Sequence, residues 1–171
     1  MKISFAVDNS NPKKPVDILQ IDEARICYRN FRGEAGKFNK EGERNFSLVI
    51  PDEEVANDLI ERGWRVKIRA PREEGDTPFM HLPVKVNFNN RGPKVYLKSG
   101  KRTLELDEST VNMLDNVDIT SVDLDIRSYD WENSFGETGR KAYLMNIWVT
   151  QRVDQNRFAS RLVDEEDYED E

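Results

Sequence analysis

The sequence has almost no cysteine or histidine. Its 171 residues include one of each, Cys27 and His81. A single cysteine excludes an internal disulfide framework, and the two residues together cannot form the clusters that hold structural zinc. We therefore expect no metal and no cofactor, and we expect the protein to work in a reducing cytoplasm.

Long apolar runs are also missing. No stretch approaches the roughly 18 consecutive apolar residues that a membrane-spanning helix needs. The first residues, MKISFAVDNSN, lack the apolar segment of a signal peptide. The sequence therefore predicts a soluble protein with no membrane contact.

The common catalytic motifs are absent. There is no Gly-x-x-x-x-Gly-Lys-Ser/Thr loop and no Gly-x-Gly-x-x-Gly segment to hold nucleotide phosphates. The single histidine gives a serine or cysteine triad little support, and we interpret it as structural. Asp123 and Asp125 share one strand face and could hold a divalent cation in a metal-dependent nuclease, but no Glu-x-Lys follows them. We expect a protein that is not an enzyme.

Charge is abundant and unevenly distributed. Charged residues make up 35% of the chain, against roughly 25% in an average globular protein. The net charge is −7, and residues 164–171, DEEDYEDE, contain seven acids. Without them, 26 basic and 26 acidic residues remain. The body is therefore neutral, and the negative excess lies at the C-terminal end.

Most of the remaining sequence alternates between apolar and polar residues. This two-residue period is typical of half-buried strands. It predicts strands at residues 3–7, 24–31, 45–50, 64–68, 82–88, 94–99, 122–131 and 142–152. Gly100 lies where a hairpin would turn between residues 96–99 and residues 101–104.

Two segments have helical patterns instead. The first starts at Pro51, carries acids in its first turn and ends at Gly63, as helix termini prefer. The second, residues 107–116, contains several weak helix formers. Because no strand alternates regularly with a long helix, the pattern argues against a parallel α/β sheet.

These elements predict a mostly β fold with long charged loops at residues 32–44, 71–78 and 132–141. An antiparallel Greek-key barrel like the oligonucleotide-binding (OB) fold, with one inserted short helix, fits the pattern, and so does a β-sandwich. We expect a single domain over residues 1–155 and a disordered acidic tail over residues 156–171.

The outward strand faces combine basic and aromatic residues. Arg127, Tyr129 and Trp131 lie opposite the apolar face of their strand, and Lys94, Tyr96 and Lys98 do so on another. The glycine-spaced segment 33–40 adds further lysines and a phenylalanine, and we expect it to be mobile enough to close over a bound strand. The predicted nucleic-acid-binding residues are Arg29, Lys37, Phe38, Lys40, Arg65, Lys67, Lys85, Lys94, Tyr96, Lys98, Arg127, Tyr129 and Trp131.

This combination is typical of proteins that hold unpaired nucleic acid. Cations neutralise phosphates and release counterions, while each ring stacked on a base contributes about 1–3 kcal/mol with little sequence choice. Simpler interpretations remain open. Arg65, Lys67 and Arg69 could form a merely solvated face, and Tyr129 and Trp131 could cover a second small core. The last strand is expected to be buried on both faces and to lie outside the site.

The acidic tail allows two roles. A run of carboxylates can occupy a basic groove until nucleic acid displaces it, or it can dock on basic partner proteins. We predict that Asp167, Tyr168, Glu169, Asp170 and Glu171 contact such partners. A solubilising tail is the alternative.

Several short blocks, in order, resemble phage and prophage single-stranded DNA-binding proteins of the OB type. The blocks are residues 25–33, 36–39, 42–46, 63–67, 82–86 and 93–95, within a likeness that covers about residues 20–152. The resemblance implies a five-stranded barrel with an inserted helix, no enzymatic activity, and a role in DNA replication or recombination in the cytoplasm of a bacterial host. It also implies that the acidic tail recruits replication or recombination proteins. The chain ends in Glu171, whereas bacterial single-strand binders commonly end in phenylalanine.

The sequence allows one alternative class of function. An acidic interaction protein, such as a DNA mimic that inhibits a host nuclease or repressor, would need acids across its folded surface. Residues 25–102 instead hold 17 basic and 11 acidic residues. The composition favours a single-stranded DNA binder, and it leaves open whether the protein forms a homo-oligomer.

Overall fold

The computed structural model describes residues 1–89 and 92–153. Within them the fold is mostly β, with one α-helix, as predicted. The strands are β1 (Lys2–Asp8), β2 (Val16–Ala24), β3 (Ile26–Asn30), β4 (Arg44–Val49), β5 (Lys67–Arg69), β6 (Phe79–Val86), β7 (Lys94–Ser99), β8 (Arg102–Leu106), β9 (Ile119–Glu132) and β10 (Thr138–Gln151). Helix α1 spans Glu53–Glu61, and a 3-10 helix spans Val111–Asp115.

The strands form one open sheet. Its order is β1-β2-β9-β10-β6-β4-β3, while β5 pairs with β6, and β7 pairs with β10 and β8. The pairings of β10 with β6 and with β7 are parallel, and all the other ladders are antiparallel. Strands β6 and β7 therefore both lie beside β10. Strand β6 pairs with it at Tyr143, and β7 pairs with it from Asn146 to Gln151.

Helix α1 forms where the sequence predicts it. The Asp52 carboxylate caps the helix by accepting a hydrogen bond of 2.9 Å from the Val55 amide. Ala56 and Leu59 are buried against the sheet. The second predicted helix shortens to the 3-10 helix, whose Val111 and Leu114 are buried.

Strand β2 was not predicted from the sequence. Ile18 and Leu19 are adjacent apolar residues, which obscures the alternation, and a register shift against β9 lies between Ile21 and Ala24. Within this shift Glu23 has a φ of 54°. Strand β5 is shorter than predicted because Trp64 is buried and its amide bonds to the Leu59 carbonyl at the end of α1.

One core lies against the inner face of the sheet. On β6 the buried residues are Met80, Leu82, Val84 and Val86, in strict alternation. Phe31 and Phe46 are almost fully buried and stack on each other with ring centroids 5.2 Å apart. These two phenylalanines therefore stabilise the fold and are not available to bases.

Strand β10 corrects the prediction that it is buried on both faces. Its pairing with β9 shifts register between Leu144 and Asn146, so Met145 forms a bulge. A bulge inserts one residue and resets the alternation. Leu144 and Ile147 are consequently both buried, while Tyr143 is half-buried on the outward face and Trp148 is 38% exposed.

Candidate nucleic-acid interface

The outward side of β6 is the centre of the candidate site. Phe79, His81, Pro83 and Lys85 alternate with the buried residues of this strand. Register places their neighbours on the same side: β5 pairs with the first half of β6, and β10 pairs with its end. We define the β6 face as Lys67, Arg69, Phe79, His81, Pro83, Lys85 and Tyr143.

The β6 face and its border are positively charged. Lys67, Lys85, Arg65 and Lys141 are exposed, and none forms an ion pair with a residue in the described ranges 1–89 and 92–153. Glu43 and Glu108 lie along one edge, but Glu108 pairs with Arg44 at 3.5 Å. The uncompensated cations can therefore attract phosphates.

Two cavities form a groove along this face. The first has a volume of about 640 Å³ and is lined by Phe38, Tyr143 and Phe88 among others. The second, of about 400 Å³, lies between Trp64 and Trp131. Both are lined by Lys67, Pro83 and Lys85, so they share a basic boundary.

An aromatic cluster lies at the β10 end of the face. Tyr129 is 52% exposed and contacts Tyr143 edge to face, with ring centroids 6.0 Å apart. The Arg127 guanidinium lies 5.3 Å from the centre of the Tyr143 ring. Lys141 lies directly opposite Tyr129 on the neighbouring strand. The predicted outward orientation of Arg127 and Tyr129 is confirmed, and they adjoin the β6 face.

Trp131 is half-buried and lies across Gly139 of the opposite strand. A Cβ atom at Gly139 would come within 2.5 Å of the indole Cζ2 atom. The ring therefore needs a glycine beneath it. Trp131 is not sealed under the loop that follows β9, where Phe135 is 87% exposed.

The predicted loop at residues 32–44 brings one aromatic residue to the groove. Phe38 is 92% exposed, and Lys37 Nζ lies 5.5 Å from its ring centre. The Asn39 side chain donates hydrogen bonds to the carbonyls of Glu34, Lys40 and Glu43. These bonds give the loop a defined conformation and present Phe38 at the first cavity, whereas Lys37 and Lys40 are exposed beside it.

The predicted β7 residues lie beside the second half of β10 rather than beside β6, and we define the β7 patch as Lys94, Tyr96, Lys98 and Trp148. Tyr96 packs against Trp148 with ring centroids 5.6 Å apart. Lys94 pairs with Glu105 at 3.5 Å, and Lys98 is exposed farther along the strand. Asp123 lies opposite Trp148. This patch therefore carries charges of both signs, unlike the β6 face.

Arg29 is engaged within the fold. Its Nη1 atom donates hydrogen bonds of 2.8 Å to the carbonyl of Leu114, in the 3-10 helix, and to that of Val117, just after it. Its guanidinium satisfies carbonyls at a helix end, as cations there commonly do. This engagement accounts for the position of Arg29 without a bound nucleic acid.

Three aromatic residues that we did not select from the sequence meet at the other end of the β6 face. Tyr28 is 54% exposed, and its ring lies 6.0 Å from Phe79 and 5.5 Å from His81. Phe79 and His81 stack with centroids 5.3 Å apart. The signal was present in the sequence, because the alternation that includes Lys85 extends back to Phe79.

His81 has a distinctive electrostatic environment. Burial and the positive charges of Lys67 and Arg69 lower its pKa below the usual value of a histidine. Its Nδ1 atom lies 2.9 Å from the Ser47 hydroxyl. The lowered pKa favours the uncharged imidazole, which packs against Phe79 and Tyr28.

The two carboxylates considered for metal binding have other contacts. Asp123 Oδ1 accepts a hydrogen bond from the Glu23 amide, and Asp125 Oδ2 accepts one from the Asn146 side chain. Among the residues that the structure describes, no cluster of three or more potential metal ligands is found. No helix in the same part of the chain is long and apolar enough to cross a membrane.

A family model described as "Putative phage ssDNA-binding domain" matches residues 9–169. The chain belongs to this family. The match confirms the resemblance read from the short sequence blocks. No curated protein matches the sequence.

Solved structures of a phage single-stranded DNA-binding protein are also similar to this chain. The single-stranded DNA-binding protein from bacteriophage Enc34 has a TM-score of 0.51 and 13% sequence identity, covering 92% of this chain and 96% of that chain. A C-terminal truncation of the same protein has a TM-score of 0.48 and 15% identity, covering 90% and 97%. At these identities the first likeness supports a shared fold and no individual binding residue.

The phage ssDNA-binding family match extends into the C-terminal segment, whose structure is not described. The predicted partner-binding residues Asp167, Tyr168, Glu169, Asp170 and Glu171 lie outside the described residues. Their role and the predicted domain boundary at residue 155 remain predictions.

Proposed function

We propose that this protein coats and protects single-stranded DNA during phage DNA replication or recombination, and that the DNA lies along the β6 face. One observation carries this proposal: in a chain of the phage ssDNA-binding family, unpaired cations and outward aromatic rings share one sheet face. We further propose that this open sheet is a variant of the partly open OB-type barrel, and we propose a non-catalytic role and a bacterial cytoplasmic location.

The chemistry of the face suits unpaired strands. Lys67 and Lys85 can contact phosphates, while Tyr129, Tyr143 and Trp131 offer flat surfaces to bases. In a duplex the base faces are already stacked on one another, so rings add affinity only where bases are free. The face should therefore prefer single strands and discriminate weakly among sequences.

We also propose that the acidic tail recruits replication or recombination proteins and that copies of the chain can associate on DNA. Seven acids in residues 164–171 support the first point. The DNA-mimic alternative is not supported, because the exposed cations of the β6 face would attract nucleic acid.

Titration of the full chain with oligo-dT tests the proposal. We expect quenching of tryptophan fluorescence and an affinity that falls steeply with added salt, because bound cations release counterions from DNA. The double variant Lys67→Ala/Lys85→Ala should reduce the slope of log affinity against log salt by about 1.4, at about 0.7 per phosphate contact on single strands.

The matched control is Lys13→Ala/Lys14→Ala, which removes two exposed lysines between β1 and β2, outside the β6 face. It should leave the salt slope close to that of the wild type. Absent or salt-insensitive binding by the wild-type chain would contradict the proposed function. An equal loss of slope in both double variants would contradict the location on the β6 face.

A further inference from the structure

Tyr28 has an unusual backbone conformation for an aromatic residue. Its φ is 51°, in the left-handed region, within a register shift between β3 and β4. Glycine and asparagine occupy this region readily, whereas a bulky side chain there is rare and strained. The sequence therefore keeps a large ring where a smaller residue would suit the backbone better.

The Tyr28 ring contacts aromatic and basic residues of the β6 face. It meets Phe79 and His81 edge to face, and its hydroxyl lies 3.4 Å from Arg69 Nη1. On the neighbouring strand β5, Arg69 lies directly beside Phe79, and Lys67 lies directly beside His81. Three rings are thus bordered by two cations, which is the same combination found at the β10 end of the face.

The two aromatic ends belong to one path. Phe79 and Lys85 are six positions apart on β6, which corresponds to about 20 Å at 3.3 Å per residue. Lys85 lies directly opposite Tyr143, and Lys67 lines both cavities between the ends. A single extended strand can therefore contact both ends while its phosphates follow the lysines.

Tyr28 has a strained backbone but is not part of the core. Folding therefore does not explain why the strained conformation is kept. Tyr28 is 54% exposed, so its burial offers little compensating stability. Strained residues cluster at functional sites, where the conformation is kept for its effect on binding. The position and exposure of Tyr28 fit a residue kept for contact with a ligand that has flat apolar faces.

We propose that Tyr28, Phe79 and His81 form a second base-stacking subsite, at the opposite end of the β6 face from Tyr129 and Tyr143. This inference rests on the proposed function. It adds a second position at which a base of the bound DNA strand stacks on the protein. One nucleobase stacks on the exposed Tyr28 ring or beside His81, and Arg69 and Lys67 hold the adjacent phosphates.

The variant Tyr28→Asn tests the subsite because asparagine tolerates a positive φ. It removes the ring without adding strain, so thermal stability should be equal to or higher than that of the wild type. Loss of one stacked base should weaken binding to oligo-dT of about 16 nucleotides by roughly 5- to 150-fold. Phe79→Leu, which keeps apolar volume but removes the flat ring, should also weaken binding.

Ile68→Ala is the matched control. Ile68 is 55% exposed, like Tyr28, but lies on the other face of β5, opposite Met80. Its removal should change the affinity less than two-fold. If Tyr28→Asn and Phe79→Leu both bind as tightly as the wild type, the subsite is wrong.

The single histidine supplies a second readout. Its imidazole proton signals can be followed in NMR spectra of the full chain without ambiguity, because the sequence has no other histidine. We expect these signals to shift on addition of oligo-dT as a base ring approaches. Binding by the wild type with unshifted His81 signals would overturn the subsite alone, whereas no binding at all would overturn the proposed function.

Discussion

The environment of His81 shows how a single residue couples the β6 face to pH. Lys67 and Arg69 from β5, Ser47 from β4 and Tyr28 from β3 surround the ring. Burial and the two cations lower its pKa in the folded protein. The unfolded chain, with a histidine pKa of about 6.5, therefore binds a proton at a higher pH than the native state does.

The stability of the folded protein should consequently rise with pH over the range in which His81 titrates. As pH falls from about 7.5 through the unfolded value of about 6.5, the wild type should lose stability, because protonation favours the unfolded chain. His81→Gln, which cannot titrate, should lose less over the same range. Urea denaturation at each pH measures the difference, and parallel pH profiles for the two proteins would contradict this role of His81.

The position of the Trp131 ring depends on Gly139, which lies opposite it on the neighbouring strand. The indole occupies the space that a Cβ atom would take, so the position of an aromatic residue is decided by the absence of a side chain on the neighbouring strand. By contrast, a Cβ atom at Gly36 would meet nothing within 4 Å. The two glycines look alike in the sequence and differ only in what the fold places against them.

At the level of elements, the bulge at Met145 divides β10 into two halves with different neighbours. Before Met145 the outward residue Tyr143 joins the β6 face, and after it Trp148 joins Tyr96 beside Asp123. Acids beside the second aromatic pair repel phosphates, whereas the first half adjoins unpaired lysines. We therefore expect the two halves to contribute unequally to DNA binding.

Paired substitutions on the one strand test this difference. Tyr143→Leu should weaken oligo-dT binding by roughly five-fold or more, since one stacked base contributes about 1–3 kcal/mol. Trp148→Leu should have a smaller effect, although its aromatic side chain is larger. Fluorescence anisotropy with labelled oligo-dT gives both affinities, and a greater loss for Trp148→Leu would place the DNA on the β7 patch instead.

For the whole molecule, the distribution of charge separates the body from its C-terminal end. The net charge of −7 comes entirely from residues 164–171, while the remainder is neutral. Like charges reduce the association of a protein with a polyanion, and salt screens this repulsion. The tail should therefore weaken DNA binding most at low ionic strength.

Deletion of residues 164–171 should tighten oligo-dT binding, with the largest gain at low salt. A variant of full length in which the seven acids are replaced by asparagine and glutamine separates the effect of charge from that of chain length. It should bind like the deletion variant. Equal affinities for the wild type and both variants at low salt would rule out competition between the tail and DNA.

The sequence by itself determined the class of fold, helix α1 and the outward faces of several strands, because alternation and capping are local properties. It also placed Lys67, Lys85, Tyr129 and Trp131 on outward or exposed positions, and its short blocks indicated the family. It did not predict β2, whose adjacent apolar residues and register shift obscure the period.

Only the tertiary structure decided which outward residues share a surface. Strand register placed Tyr143 opposite Lys85 and Lys67 opposite His81, while the bulge at Met145 turned Trp148 towards Asp123 and Tyr96. Arg29 looked free in the sequence but bonds to carbonyls near the 3-10 helix. Alternation shows which side of a strand a residue occupies, but long-range pairing decides its neighbours across the sheet.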